Sequence, residues 1–175
     1  MNGRVQQKLA GLARGRAEAS AFELLAALIF RRAFCPACID RPLLRVSSPH
    51  PDYRRDIILP VTAVNGAWHY WSVVYGSDLL MVECKNYDEP VSAAEIDLSA
   101  KYLRRPGLAS LAFLATRRSP SDQAVDAARD LFRTEKKLFI FLADDALMAL
   151  AGYGGNADAA TAFLRREYQQ QKARI

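Results

Sequence analysis

The stretch "LLMVECKNY", residues 79–87, decides how the chain is expected to fold. It begins with four apolar residues, as the core of a buried strand does, and then carries Glu83 and Lys85. Residues i and i+2 of a strand point to the same face of a sheet. The pattern therefore predicts a strand that ends with an acid and a base side by side, which is either a surface ion pair or part of a functional site.

The segments before this strand predict a helix followed by antiparallel strands. "EASAFELLAALIFRR" (18–32) is apolar on nearly all sides apart from Glu23, which is typical of a buried helix. Asn65-Gly66 is a dipeptide that favours tight hairpin turns, so it is predicted to join two strands. The remaining predictions are a basic N-terminal extension or helix at 1–17, a short strand at 43–46, and the two hairpin strands at 52–64 and 67–76.

The segments after it predict helices alternating with buried strands. Ser92 and Glu95 form a capping-box pattern, which predicts the start of a helix that runs to about residue 105. The next elements are predicted as a strand at 108–118, an amphipathic helix at 119–133, a strand at 137–145 and a last helix at about 157–173. Both late strands are continuous apolar runs, so helices should cover both faces of the sheet. The predicted fold class is α/β, with a mixed central sheet flanked by helices.

Composition limits the function classes. With 175 residues and 51% hydrophobic content, we expect a single domain over 1–175. The lack of a long apolar run predicts no membrane span, and three cysteines without a disulfide pattern predict a cytoplasmic protein. The net charge is +5, and residues 1–55 hold ten Lys/Arg against four Asp/Glu. This excess is compatible with nucleic-acid binding, but basic residues at the ends of elements are also ordinary solvated caps.

Pairing the strand at 52–64 with the strand at 79–87 would bring Asp56 near Glu83. Two neighbouring carboxylates repel each other unless a cation lies between them, and Mg²⁺ or Mn²⁺ prefers such oxygen ligands. Lys85, on the face of Glu83, would then hold or deprotonate a water molecule or contact a phosphate oxygen. A divalent ion can activate water and neutralise a phosphate, so these residue types suit phosphodiester hydrolysis.

These residues resemble the signature of the PD-(D/E)xK nucleases, the restriction-endonuclease-like superfamily, and in particular its Mrr-like group. The signature is an Asp on one strand, here in "RRDIIL" (54–59), and Glu-x-Lys on the next, here in "LLMVECKNY". The resemblance covers about residues 18–145 and implies an αβββαβ core with flanking helices. It implies that Asp56 and Glu83 bind Mg²⁺ or Mn²⁺, that the carbonyl of Cys84 is a further ligand, and that Lys85 is the catalytic lysine. The chain lacks the glycine that often precedes the Asp, and the helix after Lys85 lacks the expected glutamine.

Glu23 is the single charge in an apolar stretch of helix, and a buried carboxylate needs a partner. Either a metal site or a buried arginine would explain it. The resemblance implies the first, because many members of the family add an acidic residue from the first helix to the active site.

The sequence therefore predicts a metal-dependent nuclease that acts on nucleic acid, most readily DNA, in restriction, defence or repair. The residues predicted to bind the nucleic-acid backbone are Arg31, Arg32, Arg54 and Arg55. Cutting both strands of a duplex, or recognising a sequence, would need a homodimer or a specificity partner. The alternative is a catalytically inactive module of the same fold that binds nucleic acid or a protein.

Overall fold

The computed structural model describes residues 2–47, 54–104 and 107–174. The helices are α1 (Asn2–Gly11), α2 (Ala19–Phe34), α3 (Gly66–Val74), α4 (Ala93–Leu103), α5 (Asp122–Glu135), α6 (Asp144–Gly152) and α7 (Ala157–Lys172). The strands are β1 (Leu43–Ser47), β2 (Arg54–Pro60), β3 (Leu79–Lys85), β4 (Leu111–Thr116) and β5 (Leu138–Leu142).

The five strands form one mixed sheet in the order β1-β2-β3-β4-β5. β1, β2 and β3 are antiparallel neighbours, whereas β3, β4 and β5 run parallel. The carboxyl ends of β1, β3, β4 and β5 therefore lie at the same edge of the sheet as the start of β2. The predicted α/β class and the mixed sheet are confirmed.

Helices cover both faces of this sheet, as the apolar late strands predicted. One apolar core lies between the sheet and α1, α2, α3, α6 and α7. The second core lies on the opposite face, under α4 and α5. Along β3, Leu80 and Val82 face the first core while Met81 faces the second, which is the alternation expected of a buried strand.

The prediction of a hairpin strand at 67–76 is wrong, because Gly66–Val74 is the helix α3. The buried residues Trp68, Trp71 and Tyr75 are three and four positions apart, so one helical face carries all three. A strand would have placed Trp68 and Trp71 on opposite faces of the sheet. Gly66 has φ +72°, and it begins the helix where a turn between two strands was predicted.

The other predicted elements are present with shifted ends. The predicted strand at 52–64 is the shorter β2, and its first two predicted residues lie outside the described part of the chain. The predicted capping box is present, since the Ser92 N–H donates to Glu95 Oε2 at 2.9 Å. The predicted strand at 137–145 ends at Leu142, and its last two predicted residues belong to the nine-residue helix α6. Over the described ranges, no helix combines the length and the apolar character that crossing a bilayer requires.

Candidate active site

Glu83 and Lys85 lie at the carboxyl end of β3, at the centre of the sheet. Both are on the face of Met81, under α4, because alternate strand residues share a face. Lys85 Nζ lies 2.9 Å from Glu83 Oε1, and both residues are buried, with Glu83 only 4% exposed. The pair is therefore not the surface ion pair that the sequence left open. Glu83 Oε2 is buried too, and no hydrogen-bond donor among the described residues contacts it.

Asp56 stands beside this pair. The register of β2 and β3 pairs Ile57 with Val82, so the next position along each strand places Asp56 next to Glu83. The Cys84 N–H donates to Asp56 Oδ2 at 2.9 Å, so the Asp56 side chain is bonded directly to the backbone of β3. The predicted neighbourhood of the two carboxylates is therefore present in the structure.

The two carboxylates share an environment that disfavours their charge. Burial, followed by the nearby Asp56 carboxylate, raises the pKa of Glu83 to about 7, although Lys85 acts against this rise. Burial also raises the pKa of Asp56, against the opposing effect of the Cys84 N–H. Burial alone would lower the pKa of Lys85, but the Glu83 carboxylate outweighs it and the pKa is raised. Lys85 therefore carries its positive charge at neutral pH.

The residues present fit a divalent cation with oxygen ligands. A buried carboxylate oxygen without a donor and a second carboxylate next to it are what a Mg²⁺ or Mn²⁺ ion would use, with water filling its other positions. No set of three or more His, Cys, Asp or Glu within the described ranges has the spacing of a metal site. The Cys84 side chain packs towards the α2 face of the sheet, so only its carbonyl, as predicted, is a candidate ligand.

Glu23 of α2 is buried, with 6% exposure, and two arginines hold it. Arg45 Nε donates to Glu23 Oε2 at 3.0 Å, and Arg54 Nη2 donates to Oε1 at 3.2 Å. Of the two explanations that the sequence offered for Glu23, arginine partners are present. Glu23 is also near enough to contribute to the raised pKa of Asp56, so it lies at the margin of the site.

Helix α4 adds a tyrosine that the sequence analysis missed. Burial raises the pKa of Tyr102, and the Glu83 and Asp56 carboxylates raise it further, so the phenol lies near the two acids. Ser99, one turn before it, is fully buried, and its Oγ has no hydrogen-bond partner in the described part of the chain. Glu95, Ser99 and Tyr102 are spaced four and three residues apart, so they share one face of α4. This spacing of polar residues along α4 is the sequence pattern from which Tyr102 could have been predicted.

Asn86, the residue after Lys85, fastens the N-terminal segment to the site. Its side-chain amide donates to the carbonyls of Ala13 and Gly15 at 3.1 and 2.8 Å, and the Gly15 N–H donates to the Asn86 carbonyl at 2.6 Å. The buried Arg117 donates to Asn86 Oδ1 at 2.9 Å and to Asp144 Oδ1 at 2.8 Å. No sequence pattern pointed to this network, because its members are far apart along the chain.

The four predicted nucleic-acid-binding arginines do not lie together. Arg54 contacts Glu23 at the site, and Arg55 follows it with a buried Nε that has no partner among the described residues. Arg31 and Arg32 lie at the far end of α2, about 12 Å along the helix axis from Glu23 at 1.5 Å per residue. There they line a separate groove of about 630 Å³ together with Arg41.

Comparison of the chain with protein-family models, with curated proteins and with solved structures gave no significant match.

Proposed function

We propose that this chain is a metal-dependent nuclease that hydrolyses phosphodiester bonds of nucleic acid, with DNA as the first candidate substrate. The observation that carries the proposal is the juxtaposition of Asp56, Glu83 and Lys85 at the carboxyl end of β3. A buried carboxylate and a half-buried one lie side by side with raised pKa values, and Glu83 Oε2 has no donor among the described residues, which is the pattern expected of a cation site.

In this proposal each residue has a separate task. Asp56 and Glu83, with the Cys84 carbonyl, would hold Mg²⁺ or Mn²⁺, which when bound activates water and neutralises charge on the phosphate. Lys85 is protonated at neutral pH, so it acts as a donor to a water molecule or a phosphate oxygen and not as a general base. The Cys84 N–H orients the Asp56 carboxylate, and the half-buried Tyr102 lies near the two acids.

The strand arrangement supports the proposal of a restriction-endonuclease-like core. Apart from the inserted helix α3, the elements from α2 to β4 follow the order αβββαβ, with β1 to β3 antiparallel and β4 parallel to β3. Helix α3 lies between β2 and β3, where the strand at 67–76 was predicted. The proposal includes action in the cytoplasm, and a homodimer or partner protein for cleavage of both strands.

A second candidate is a catalytically inactive module that binds nucleic acid or a protein. The contact between Lys85 Nζ and Glu83 Oε1 favours it, because a 2.9 Å ion pair already balances the charge of Glu83 without a metal. The two candidates differ in whether the pair opens to admit a cation.

The deciding experiment is cleavage of labelled single- and double-stranded DNA and RNA with Mg²⁺, Mn²⁺ or EDTA. We expect cleavage by the wild type with either metal, and a loss of at least about 100-fold in Lys85→Ala and Asp56→Asn, since each removes a group that contacts the reacting phosphate or its metal. Lys101→Ala, which changes an exposed lysine of α4, is the matched control and should cleave as the wild type does.

Circular dichroism should first show that the variants are folded. If the wild type and both site variants cleave equally, the activity is a contaminant and the nuclease proposal is wrong. If the wild type binds nucleic acid but cleaves none of these substrates, the second candidate is correct.

A further inference from the structure

The contacts of Glu23 point to a binding site next to the carboxylates. We propose that Arg45 and Arg54, held in place by Glu23, form a clamp for a phosphate group of the nucleic-acid backbone, and that Glu23 positions the arginines and does not bind the metal. This inference rests on the proposed function and adds the residues that bind the substrate. We call Arg45, Arg54 and Glu23 together the arginine clamp.

Both oxygens of Glu23 are occupied by arginines. Arg45 Nε bonds Oε2 and Arg54 Nη2 bonds Oε1, so the carboxylate is shared between two cations. The Glu23 side chain is buried, whereas the side chains of Arg45 and Arg54 are 40% and 49% exposed. The buried Glu23 therefore holds the two arginines in place, while their side chains remain partly exposed to solvent. A carboxylate with two arginine partners is poorly placed to bind a metal as well.

The arginine clamp has a net positive charge, because it contains two arginines and one glutamate. One carboxylate faces two guanidinium groups. Among the described residues, Arg45 and Arg54 form no salt bridge other than those with Glu23. Each guanidinium has five N–H donors, and the bond to Glu23 uses one of them. A phosphodiester, which has a single negative charge and two free oxygens, matches the remaining charge and the forked donors.

The positive φ angle of Arg45 indicates a functional role for this residue in addition to any structural one. Arg45 has φ +54° in the middle of β1, although residues on both sides of it pair regularly with β2. The register places it beside Asp56, the first carboxylate of the site. The other non-glycine residue with positive φ, within the described ranges, is Lys136, which ends helix α5 in an ordinary way. A left-handed arginine inside a strand is uncommon, and such residues cluster at functional sites.

A purely structural role explains these features less well. Ion pairs with half-exposed arginines contribute little to stability, so they do not account for an unfavourable backbone at Arg45 or for the burial of Glu23. A phosphate site accounts for both, because the arginines must be held at fixed positions before the substrate arrives.

Binding is tested by fluorescence anisotropy with labelled DNA and RNA oligonucleotides in EDTA, in the Lys85→Ala background so that no cleavage occurs. We expect Arg45→Ala and Arg54→Ala each to weaken binding by about tenfold or more and to lower the slope of log K against log salt by about one. The matched control is Arg165→Ala, an exposed arginine of α7, which should change affinity by less than about twofold.

Arg45→Gly separates binding from folding. Glycine suits a positive φ, so this variant should fold at least as well as Arg45→Ala while it binds as weakly. If the Arg45 and Arg54 variants bind as Arg165→Ala does, the arginine clamp does not contact the substrate and the inference is wrong.

Glu23→Gln tests the role of the acid in the cleaving protein. We expect KM to rise several-fold while the Mg²⁺ concentration at half-maximal activity stays within about twofold of the wild type, because Glu23 acts on the arginines. A tenfold shift in that Mg²⁺ midpoint would make Glu23 a metal ligand and overturn the inference. If the wild type does not cleave at all, the proposed nuclease activity fails, but the anisotropy experiment still decides whether the arginines bind nucleic acid.

Discussion

The Cys84 N–H donates to Asp56 Oδ2 at 2.9 Å, so a side chain of β2 bonds to the backbone of β3 just beyond Ile57 and Val82, where the regular pairing of the two strands ends. This bond keeps Asp56 at the end of the sheet beside Glu83. The backbone of the Glu-x-Lys motif thus has a role of its own, which is to orient the carboxylate of the neighbouring strand.

The raised pKa of Glu83 predicts that the metal-free protein becomes less stable as the pH rises from 5 to 8. Glu83 titrates near its ordinary value of 4.5 in the unfolded chain and at about 7 in the folded one, so the folded state binds the proton more tightly. Its contribution is complete below pH 4.5 and is lost as the pH rises through 7, which amounts to about 3 kcal/mol in the free energy of unfolding. Urea unfolding in EDTA at several pH values measures it.

Glu83→Gln is the control for this pH dependence, because a neutral amide cannot titrate. Its free energy of unfolding should vary much less between pH 5 and 8 than that of the wild type. Added Mg²⁺ should stabilise the wild type more at pH 8 than at pH 5, since the cation binds the ionised carboxylate. Parallel profiles for the two proteins would contradict the assignment of the pH dependence to Glu83.

Most of the sheet and the centre of the candidate site could be predicted from the sequence. The apolar runs of β3, β4 and β5 are buried on both sides, and such strands are visible in sequence because every position must be apolar. Asp56, Glu83 and Lys85 were found because each adjoins such a run, so the pairing of the strands fixed their neighbourhood.

The parts that could not be predicted depend on contacts between distant residues. Arg45 reaches Glu23 from a position 22 residues away, and nothing in the sequence around Arg45 marks it as different from the other arginines. Helix α3 was mistaken for a strand because its aromatic residues favour strands and Asn65-Gly66 favours a hairpin. The packing of Trp68 and Trp71 in one core outweighed those local preferences.

Helix α3 is predicted to be essential to stability through both of its tryptophans. The Trp71 ring lies 5.4 Å from that of Trp68 and 5.5 Å from that of Tyr168 between centroids, and both tryptophans are fully enclosed. Trp68→Ala and Trp71→Ala should each lower the free energy of unfolding by about 3–5 kcal/mol, because each leaves a large cavity. Tyr70→Ala, at an exposed position, should change it by less than about 0.5 kcal/mol. Urea unfolding distinguishes the helix from a strand, in which one of the two tryptophan substitutions would be mild.

The edge of the sheet at β5 is closed by a side chain. Gln171 of α7 accepts from the Phe141 N–H at 2.8 Å and donates to the Phe141 carbonyl at 3.0 Å, as a neighbouring strand would. Gln171→Ala should open this edge, lower the free energy of unfolding by about 1–2 kcal/mol and increase self-association. Size-exclusion chromatography with light scattering measures the association. The exposed Gln170 provides the control, because Gln170→Ala leaves the bonds to Phe141 in place, and equal behaviour of the two variants would mean that Gln171 does not protect the edge.

Asn86 is predicted to control how firmly the N-terminal segment is attached. Its amide holds the carbonyls of Ala13 and Gly15, and Arg117 holds Asn86 in turn. Asn86→Ala should release this segment, so trypsin should cleave after Arg14 and Arg16 several-fold faster than in the wild type, because a protease needs a locally opened chain.

Limited proteolysis followed by mass spectrometry measures the cleavage at each site. Asn65→Ala is the matched control, since the exposed Asn65 forms no side-chain cap at α3 and its loss should leave the N-terminal segment in place. Arg117→Ala should show the same cleavage and, in addition, a loss of about 1–3 kcal/mol in the free energy of unfolding, because Asn86 and the Leu12 carbonyl lose the buried donor that Arg117 provides. If cleavage after Arg14 and Arg16 is equally slow in Asn86→Ala and Asn65→Ala, the segment is held by the apolar contacts of α1 and not by the polar network.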